Sequence, residues 1–599
     1  MAKGKYELRC GLEIHQRLHT KKLFCNCEST QTEEPFLEVR RQLRPVAGEL
    51  GDVDPAALHE ALRGRHFLYQ ISQKESCLVE LDCEPPHEIN LEALDVALSV
   101  CKLLQCTIPE EIHVMRKTVI DGSNTGGFQR TAVVGMDGKI KVGNEIIEID
   151  QIALEEESAR IESKSEHETI YRLSGLGIPL VEITTGVIDD ADKLQKVAEH
   201  IGLLLRSFDV QRGIGSIRQD VNVSIANGAR VEIKGFQELE KMAELVKNEA
   251  KRQQDLLNIM NKLIKRKASV SGAVKDVTKY FGNTGNILLK DIVNNKGRVF
   301  AFLLRNFDGM MTEECGDRTL GKELAGYAQA YGIGGIIHTD EDLGRYKLRN
   351  EFDLLKKEFK AKERDSIVIL AGMMPDVRNA VNAVYERALH LLSGVPEETR
   401  FSDGIGSKFA RPLPGKARMY PETDVPPIIA EAPKKLPKTM FEKESDLKKR
   451  LPAEMAEQMI RSHRLPLYEK LAERHDPVLV ANTLLSTMKD LSRRGFDVER
   501  IGEEELSAIF SMVKKGKITR QAIPEALAMI AQGKSINDIE KSFGSMPEIQ
   551  LRDIVRSVIK SNPNANEGAL MGIVMNKARG RVEGKIVAKI VREEMGKGR

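Results

Sequence analysis

The chain reads as a multidomain α+β protein, and three observations predict it. Its 599 residues exceed what one core fills, and roughly 100–200 residues per domain gives about three to five domains. Short alternating apolar stretches broken by glycines occupy the first 270 or so residues. From about residue 435 the periodicity becomes helical.

Leu8 to Leu18, Lys139 to Ile149, Ile178 to Thr184 and Ile217 to Ile225 are expected strands. Between them, Ala191 to Phe208 reads as an amphipathic helix with Leu194, Val197, Ala198, Ile201, Leu204 and Leu205 on one face. Gln237 to Lys267 reads as a longer, charged helix. Near 280 the composition shifts. Ile287-Leu288-Leu289 and Val299 to Phe302 read as strands of a compact α+β block that extends to about 400. A Pro- and Gly-rich return from Arg411 to Pro427 precedes the helical part, where Thr519 reads as an N-cap. Leu551, Ile554, Val555, Val558 and Ile559 mark a further amphipathic helix, and Ser561 to Glu567 is a linker or helix start. The expected boundaries are 1–280, 281–400, 401–434, 435–540 and 541–599.

Composition limits the function classes. Hydrophobic residues at 41% and charged residues at 30% exclude collagen-like, coiled-coil and wholly disordered chains. No run approaches the length of a transmembrane helix, and Met1 to Leu8 has no apolar leader, so a cytoplasmic protein without membrane contact is expected. Eight cysteines in so long a chain are not a disulfide framework. The 91 basic and 89 acidic residues nearly balance, which argues against a purely electrostatic nucleic-acid coat. With no Trp and 5% aromatics, any RNA would be held by shape and backbone contacts rather than base stacking.

Several clusters could carry chemistry. In a strand, Gly11-Leu12-Glu13-Ile14-His15 turns Leu12 and Ile14 inward and puts Glu13 and His15 on the opposite face, where they serve either a metal or phosphate site or an ordinary polar face. Glu155-Glu156-Glu157 is either a solvated helix start or a source of one or two inward oxygen ligands for Mg²⁺. Glu182 interrupts an apolar strand, which is costly unless the charge is paired or metal-bound. Ile217 to Ile225 followed by Ala226-Asn227-Gly228 reads as a hairpin with Gly228 in the left-handed position. Its register sets Asn222 opposite Glu232, Asp220 opposite Lys234 and Val223 opposite Val231. Asp220, Asn222, Ser224, Glu232 and Lys234 then share a face suited to Mg²⁺, triphosphate and a carboxylate, or simply to exposed charge pairs.

Arg116-Lys117 precedes a glycine-rich turn in which Ser123, Asn124 and Gly126 are phosphate-loop candidates, although the Walker A spacing is absent. Cys25-Asn26-Cys27 is a tight cysteine pair without an evident second pair, so buried free thiols are expected rather than zinc. Near the end, Lys577, Arg579, Arg581 and Lys585 lie beside apolar helical faces, as a phosphate-backbone contact or a solvated face would.

Together these motifs resemble the B and E subunits of glutamyl-tRNA(Gln) amidotransferases. The resemblance rests on Gly11 to His15, Leu23-Phe24-Cys25-Asn26-Cys27, Leu154 to Glu157, Ser174 to Thr184, Ser216 to Ser224 and Glu232-Ile233-Lys234, and it spans essentially the whole chain. The archaeal-type E branch is favoured. Arg41 to Gly51 replaces the second cysteine pair of zinc-bearing B subunits, and the 281–400 block is similar to the insertion domain of bacterial-type aspartyl-tRNA synthetases.

The resemblance implies a cradle-like kinase domain, that insertion, C-terminal all-α domains and a tail related to the YqeY family. It implies ATP- and Mg²⁺-dependent phosphorylation of a glutamate carboxylate on tRNA(Gln), then amidation by ammonia, by a ligase. By motif position, His15, Glu182 and one of Glu155 or Glu156 would hold Mg²⁺, with Glu13 in support. Asp220, Glu232, Lys117 and Lys234 would line the phosphate and substrate pocket. The implied partners are Glu-tRNA(Gln) and an asparaginase-like D subunit that supplies ammonia through a channel, in a hetero-oligomer of the D2E2 kind. The alternatives are a B-type subunit served by an amidase, and a non-catalytic tRNA-binding adaptor.

Overall fold

The computed structural model describes all residues except 1–6, 33, 46–50, 52, 63, 166–167, 414–418, 545, 564, 579–580, 583 and 597–599. The chain divides into two units, Met1–Pro437 and Lys438–Arg599. The first is mixed α/β and the second is helical.

Ten strands of the first unit form one sheet. They are β1 (Leu8–Arg17), β2 (Val114–Thr118), β3 (Phe128–Val142), β4 (Glu145–Glu156), β5 (Pro179–Thr185), β6 (Ile217–Ile225), β7 (Val231–Phe236), β8 (Glu398–Asp403), β9 (Gly406–Pro412) and β10 (Met419–Pro421). Their order is β9-β8-β7-β6-β1-β5-β4-β3-β2-β10. All neighbours are antiparallel except β7 and β8, which run parallel. The first strand therefore sits in the middle, between two that follow it by more than 160 residues.

Side-chain alternation gives this sheet two different faces. Leu12 and Ile14 of β1, Ile183 of β5, and Val221 and Val223 of β6 are buried on one of them. Helix α1 (Leu91–Leu103) packs against β3 and β4, α2 (Ala191–Leu205) against β1, and α3 (Met242–Lys265) against β6. The α2 N-terminus is fixed by Asp190, whose carboxylate accepts the Lys193 N–H at 2.8 Å. Its buried stripe is the one expected: Leu194, Val197, Ala198, Ile201, Leu204 and Leu205. Each leucine, isoleucine or valine of the stripe contributes roughly 1.5–3 kcal/mol on burial. The other face of the sheet is left to polar side chains.

Three sequence expectations change. Lys139 to Ile149 is not one strand but the end of β3 and the start of β4, joined by a tight turn with Gly143 at φ 62°. Ile287-Leu288-Leu289 opens a helix, Ile287–Asn294, because Asn286 accepts the Leu289 N–H at 3.0 Å and caps it; only Leu289 is buried. The inserted block has its own sheet, in which Arg298–Arg305 is flanked by Ser269–Asp276 and Ser366–Gly372, with Ile337–His338 beyond the latter. That sheet starts at Ser269, ahead of the expected 281, because Ser269–Asp276 pairs with Arg298–Arg305.

The block is tied to the large sheet by α3, whose Leu256, Leu257 and Leu263 share a core with Phe302, Leu304 and Val381. A buried ion network reinforces the junction. Arg400 of β8 meets Glu398 at 2.5 Å and Glu323 at 3.0 Å, and Arg252 of α3 meets Glu249 at 2.8 Å and Glu323 at 2.7 Å.

In the second unit, Glu548–Ser561, Glu567–Ala578 and Gly584–Gly596 share a core of Leu551, Val555, Leu570, Val574, Val587 and Ile590. Thr519 occupies the N-cap position of a single 3₁₀ turn, Arg520–Ala522, without a side-chain cap bond, and helix Ile523–Ala531 follows. No helix among the described residues is long and apolar enough to cross a membrane.

Candidate phosphate and metal site

The polar face of the sheet gathers the charged side chains that the sequence scatters over more than 200 positions. On β1, Glu13, His15 and Arg17 alternate with the buried Leu12, Ile14 and Gln16. Register then fixes the neighbours. His15 lies opposite Glu182 on β5 and opposite Arg218 on β6, while Glu13 lies opposite Asp220 on β6. Leu180 lies opposite Glu155 on β4, so Glu155 shares the face of Glu182 and Glu156 does not.

The first cluster is His15, Glu155 and Glu182, whose donor atoms lie within 4.8 Å of one another. His15 Nε2 is 3.5 Å from Glu155 and 3.4 Å from Glu182. Lys117 Nζ, reaching across from β2, is 2.7 Å from Glu155 and 3.6 Å from Glu182. Thr131 of β3 donates to Glu155 at 3.0 Å. Burial disfavours charge on His15. The hydrogen bond to Glu182 and the carboxylates of Glu182, Glu155 and Asp220 outweigh this and raise its pKa to about 9. Burial likewise opposes the Glu182 carboxylate, but Lys117 and His15 hold its pKa well below the usual range.

The second cluster is Glu13, Asp220 and Glu232 around Lys234. The ammonium is 2.7 Å from Asp220 and 2.5 Å from Glu232. Asn222 Nδ2 donates to Glu13 at 3.0 Å, and Thr399 of β8 donates to Glu232 at 3.1 Å. The expected pairs of Asn222 with Glu232 and Val223 with Val231 are present. The expected pairing of Asp220 with Lys234 in a regular ladder is interrupted, because Gln219 pairs with Phe236 and the register shifts between Gln219 and Val221. Gly235, at φ 73°, is in this irregularity. Its N–H donates to Asp220 at 2.9 Å, while Lys234 is aimed at the same carboxylate. At the hairpin tip Asn227, at φ 61°, takes the left-handed position expected of Gly228. A Cβ on Gly228 would stand 2.3 Å from Gln253 Oε1, so glycine is needed there for close approach.

The glutamate triplet is not solvated: all three residues are buried. Glu156 is corrected as a partner of His15. Adjacent strand residues point to opposite faces, and Glu156 receives the Arg130 N–H at 3.0 Å on the far side. Burial raises its pKa despite Arg130. Glu157 receives Arg17 Nε and Arg218 Nη2, each at 2.7 Å. Burial pushes its pKa up, and the two guanidinium groups bring it below the usual value.

The glycine-rich turn goes with Glu156. Asn124 and Gly126 line a small pocket with Arg130 and Glu156, and the Asn124 amide donates to Phe128 O at 3.0 Å. Ser123 is turned onto Asp121, at 2.6 Å. The structure therefore does not bring these phosphate-loop candidates to His15. Ser224 donates only weakly to Arg9 O at 3.4 Å.

In the helical unit, Lys577 and Lys585 are exposed, while Arg581 Nε donates to Gly544 O at 3.0 Å. Arg581 also lines a groove of about 690 Å³ with Arg474, Lys514 and Arg520. Arg579 lies outside the described residues.

Two features of the site escape a reading of the sequence. Arg17 and Glu157 belong to the polar face, a fact carried by strand parity once the register is known. The tight cysteine pair also has its complement: Cys25, Cys27, Cys77 and Glu80 place four donor atoms within 4.8 Å of one another. The Cys25 thiol is 2.9 Å from Glu80, and the Cys77 N–H donates to the same carboxylate at 2.7 Å. Three thiols and a carboxylate are a donor set of the kind zinc accepts. The second half of this set is one cysteine and one glutamate three residues apart, which no close cysteine spacing announces.

Strands from across the sheet thus contribute to one charged, largely buried face, where an imidazole and carboxylates that could hold a divalent cation lie beside cationic side chains that could meet an anion. This defines a mixed α/β protein whose large sheet carries a charged polar face, followed by a helical unit. The chain belongs to the GatB/GatE family: the GatB/GatE catalytic domain matches residues 8–434, and the GatB domain matches residues 466–595. It is similar to the E subunit of the glutamyl-tRNA(Gln) amidotransferase of Methanococcus maripaludis strain S2, with 41% identity over 87% of this chain and 86% of the relative. The corresponding E subunits of Methanocaldococcus jannaschii and Archaeoglobus fulgidus are each 42% identical, over 89% and 91% of this chain and 88% and 90% of theirs.

Proposed function

We propose that this chain is the E-type component of a glutamyl-tRNA(Gln) amidotransferase and that its sheet face uses ATP to activate a tRNA-bound glutamate. Convergence of His15, Glu155 and Glu182 beside Lys117 supports this reading above all, because these groups come from four strands and have no common structural purpose. One imidazole and two carboxylates suit Mg²⁺, and Glu13, held by Asn222 in the second cluster, adds negative charge on the same face. The cation, when bound, offsets negative charge on the transferring phosphoryl group.

Lys117 and Lys234 bind phosphate oxygens. Asp220 and Glu232 hold Lys234 in place and keep it charged. The side-chain carboxylate of the glutamate attacks the terminal phosphorus, the bond to the nucleotide diphosphate breaks, and an acyl phosphate results. Ammonia then displaces phosphate and leaves the amide. The chemistry needs positioning and charge stabilisation rather than a covalent nucleophile on the protein.

An asparaginase-like D subunit supplies the ammonia in a D2E2-like assembly. The 541–599 tail, with Lys577, Arg581 and Lys585, contacts tRNA, and the cytoplasm is the site of action. The first unit comprises the cradle-like kinase domain and its synthetase-like insertion.

Incubation with Glu-tRNA(Gln), ATP, Mg²⁺ and ammonium tests the reading by product analysis: Gln-tRNA(Gln) and ADP are expected. Neither product with intact substrate tRNA would overturn it. Co-purification with an amidase in place of an asparaginase-like protein would favour the B-type alternative.

A further inference from the structure

One group on the polar face has no part in the mechanism above. Glu157 is buried, and both of its oxygens are occupied by arginines, Arg17 Nε and Arg218 Nη2, each at 2.7 Å. Among the described residues Glu157 is the one carboxylate with which either arginine pairs directly. Two guanidinium groups on a single carboxylate each hold only one of its oxygens, and Arg218 also feels the carboxylates of Asp220 and Glu155 at longer range. A carboxylate that served only to neutralise one arginine would need one partner, not two.

The position of Arg218 gives this sharing a use. Arg218 lies directly opposite His15 in the β1–β6 register, so the two side chains share a face and start about 5 Å apart. Arg17 is two residues beyond His15 on the same face, about 7 Å along the strand. The Arg218 side chain keeps 35% of its surface accessible even though Glu157 is almost fully covered. Its held nitrogen is Nη2, which leaves the rest of the planar fork for another acceptor.

We infer that Arg218 is a further catalytic residue, donating to a phosphoryl oxygen of the group transferred at the His15–Glu182 cluster, and that Glu157 and Arg17 are positioning residues that aim it. This rests on the phosphoryl-transfer reading given above. A fork fixed at one nitrogen before substrate arrives needs little reorganisation when charge develops on the phosphoryl oxygens. Sharing Glu157 with Arg17 weakens the hold of the carboxylate on either arginine, so Arg218 can turn toward a second anion without leaving Glu157 bare.

The test uses the full chain with its ammonia-supplying partner and measures ATP hydrolysis dependent on Glu-tRNA(Gln). For Arg218→Ala, kcat is expected to fall by about 10²–10³-fold, with the KM for aminoacyl-tRNA nearly unchanged. Millimolar guanidinium should restore part of the lost rate. A non-hydrolysable triphosphate analogue should bind more weakly to this variant, and ADP as before. Glu157→Gln keeps both arginines and the volume, and covers a failure of Arg218→Ala to fold. It should lower kcat without rescue by guanidinium, because the arginine is still present but loosely aimed. Wild-type kcat in both variants, or a loss confined to the KM for aminoacyl-tRNA with nucleotide binding intact, would overturn the assignment. An inactive wild type under the same conditions would overturn the phosphoryl-transfer reading itself, a result distinct from active wild type with active variants.

Discussion

Neighbouring residues of one strand do opposite work here. Glu155 and Glu156 are adjacent residues of the same type, yet one faces His15 and the other Arg130. Glu155→Gln is therefore expected to abolish tRNA-dependent ATP hydrolysis by more than about 10²-fold. Glu156→Gln should keep kcat and lower stability by about 1–3 kcal/mol, because Arg130 loses a buried acceptor. Steady-state kinetics and thermal unfolding of the two variants separate these outcomes; equal losses of activity would contradict the parity argument. The cysteine cluster makes a second residue-scale prediction. Cys27 is hydrogen-bonded by the thiols of Cys25 and Cys77, which draw its own pKa down to about 4, whereas the same contacts and burial push Cys25 up. In chelator-treated protein, iodoacetamide at pH 6 should label Cys27 ahead of Cys25, as peptide mass spectrometry would show.

At the scale of elements, two devices hold the site strands. One is the irregularity in β7. Gly235 adopts φ 73° with open space around its Cβ position, so Gly235→Ala meets conformational strain and no clash. A cost of about 1–2 kcal/mol is expected, together with a weaker grip of Lys234 on phosphate, measured as a raised KM for ATP. The other is the ion network behind β8, the strand that carries Thr399 to Glu232. Glu323 is fully buried, and burial alone would raise its pKa; Arg400 and Arg252 hold it far below the ordinary carboxylate range, and Arg252 draws the equally buried Glu249 below its usual value. Carboxylates with depressed folded pKa values contribute stability that is fully present above their unfolded pKa of about 4.3 and is lost as pH falls toward the folded values. The network should therefore be insensitive to pH from about 8 to 6 and weaken below about pH 4. Glu323→Gln should cost about 3–5 kcal/mol at neutral pH, since Arg400 and Arg252 are left buried with one carboxylate fewer. Urea midpoints at several pH values check both statements: the gap between wild type and variant should narrow in acid.

For the whole molecule, the division at Pro437 predicts separable behaviour. The tail has its own core of Leu551, Val555, Leu570, Val574, Val587 and Ile590. Deletion of 541–599 should weaken tRNA binding while leaving the thermal transition of the Met1–Pro437 unit in place, as gel-shift and calorimetry would register; unchanged tRNA affinity would remove the tail from the RNA contact. Much of this organisation is legible in the sequence, because local patterns encode it. Alternation marks β1, β5 and β6, a 3.6-residue stripe marks α2, and Asn222 can be set against Glu232 from hairpin geometry alone. The failures are local as well: a cap at Asn286 turns an apolar triplet into a helix, and Asn227 takes a conformation expected of glycine. What the sequence by itself determined was which residues are turned out of each strand, since that depends only on a period of two. Only the tertiary structure decided which strands lie side by side. Register across β1, β5 and β4 chose Glu155 over Glu156, and the same pairing joined Arg17 and Arg218 through Glu157. Chain folding brought Cys77 and Glu80 to Cys25 and Cys27. These are contacts between strands and loops far apart in the chain, set by the packing of the sheet against its helices, and no window of local sequence contains that information.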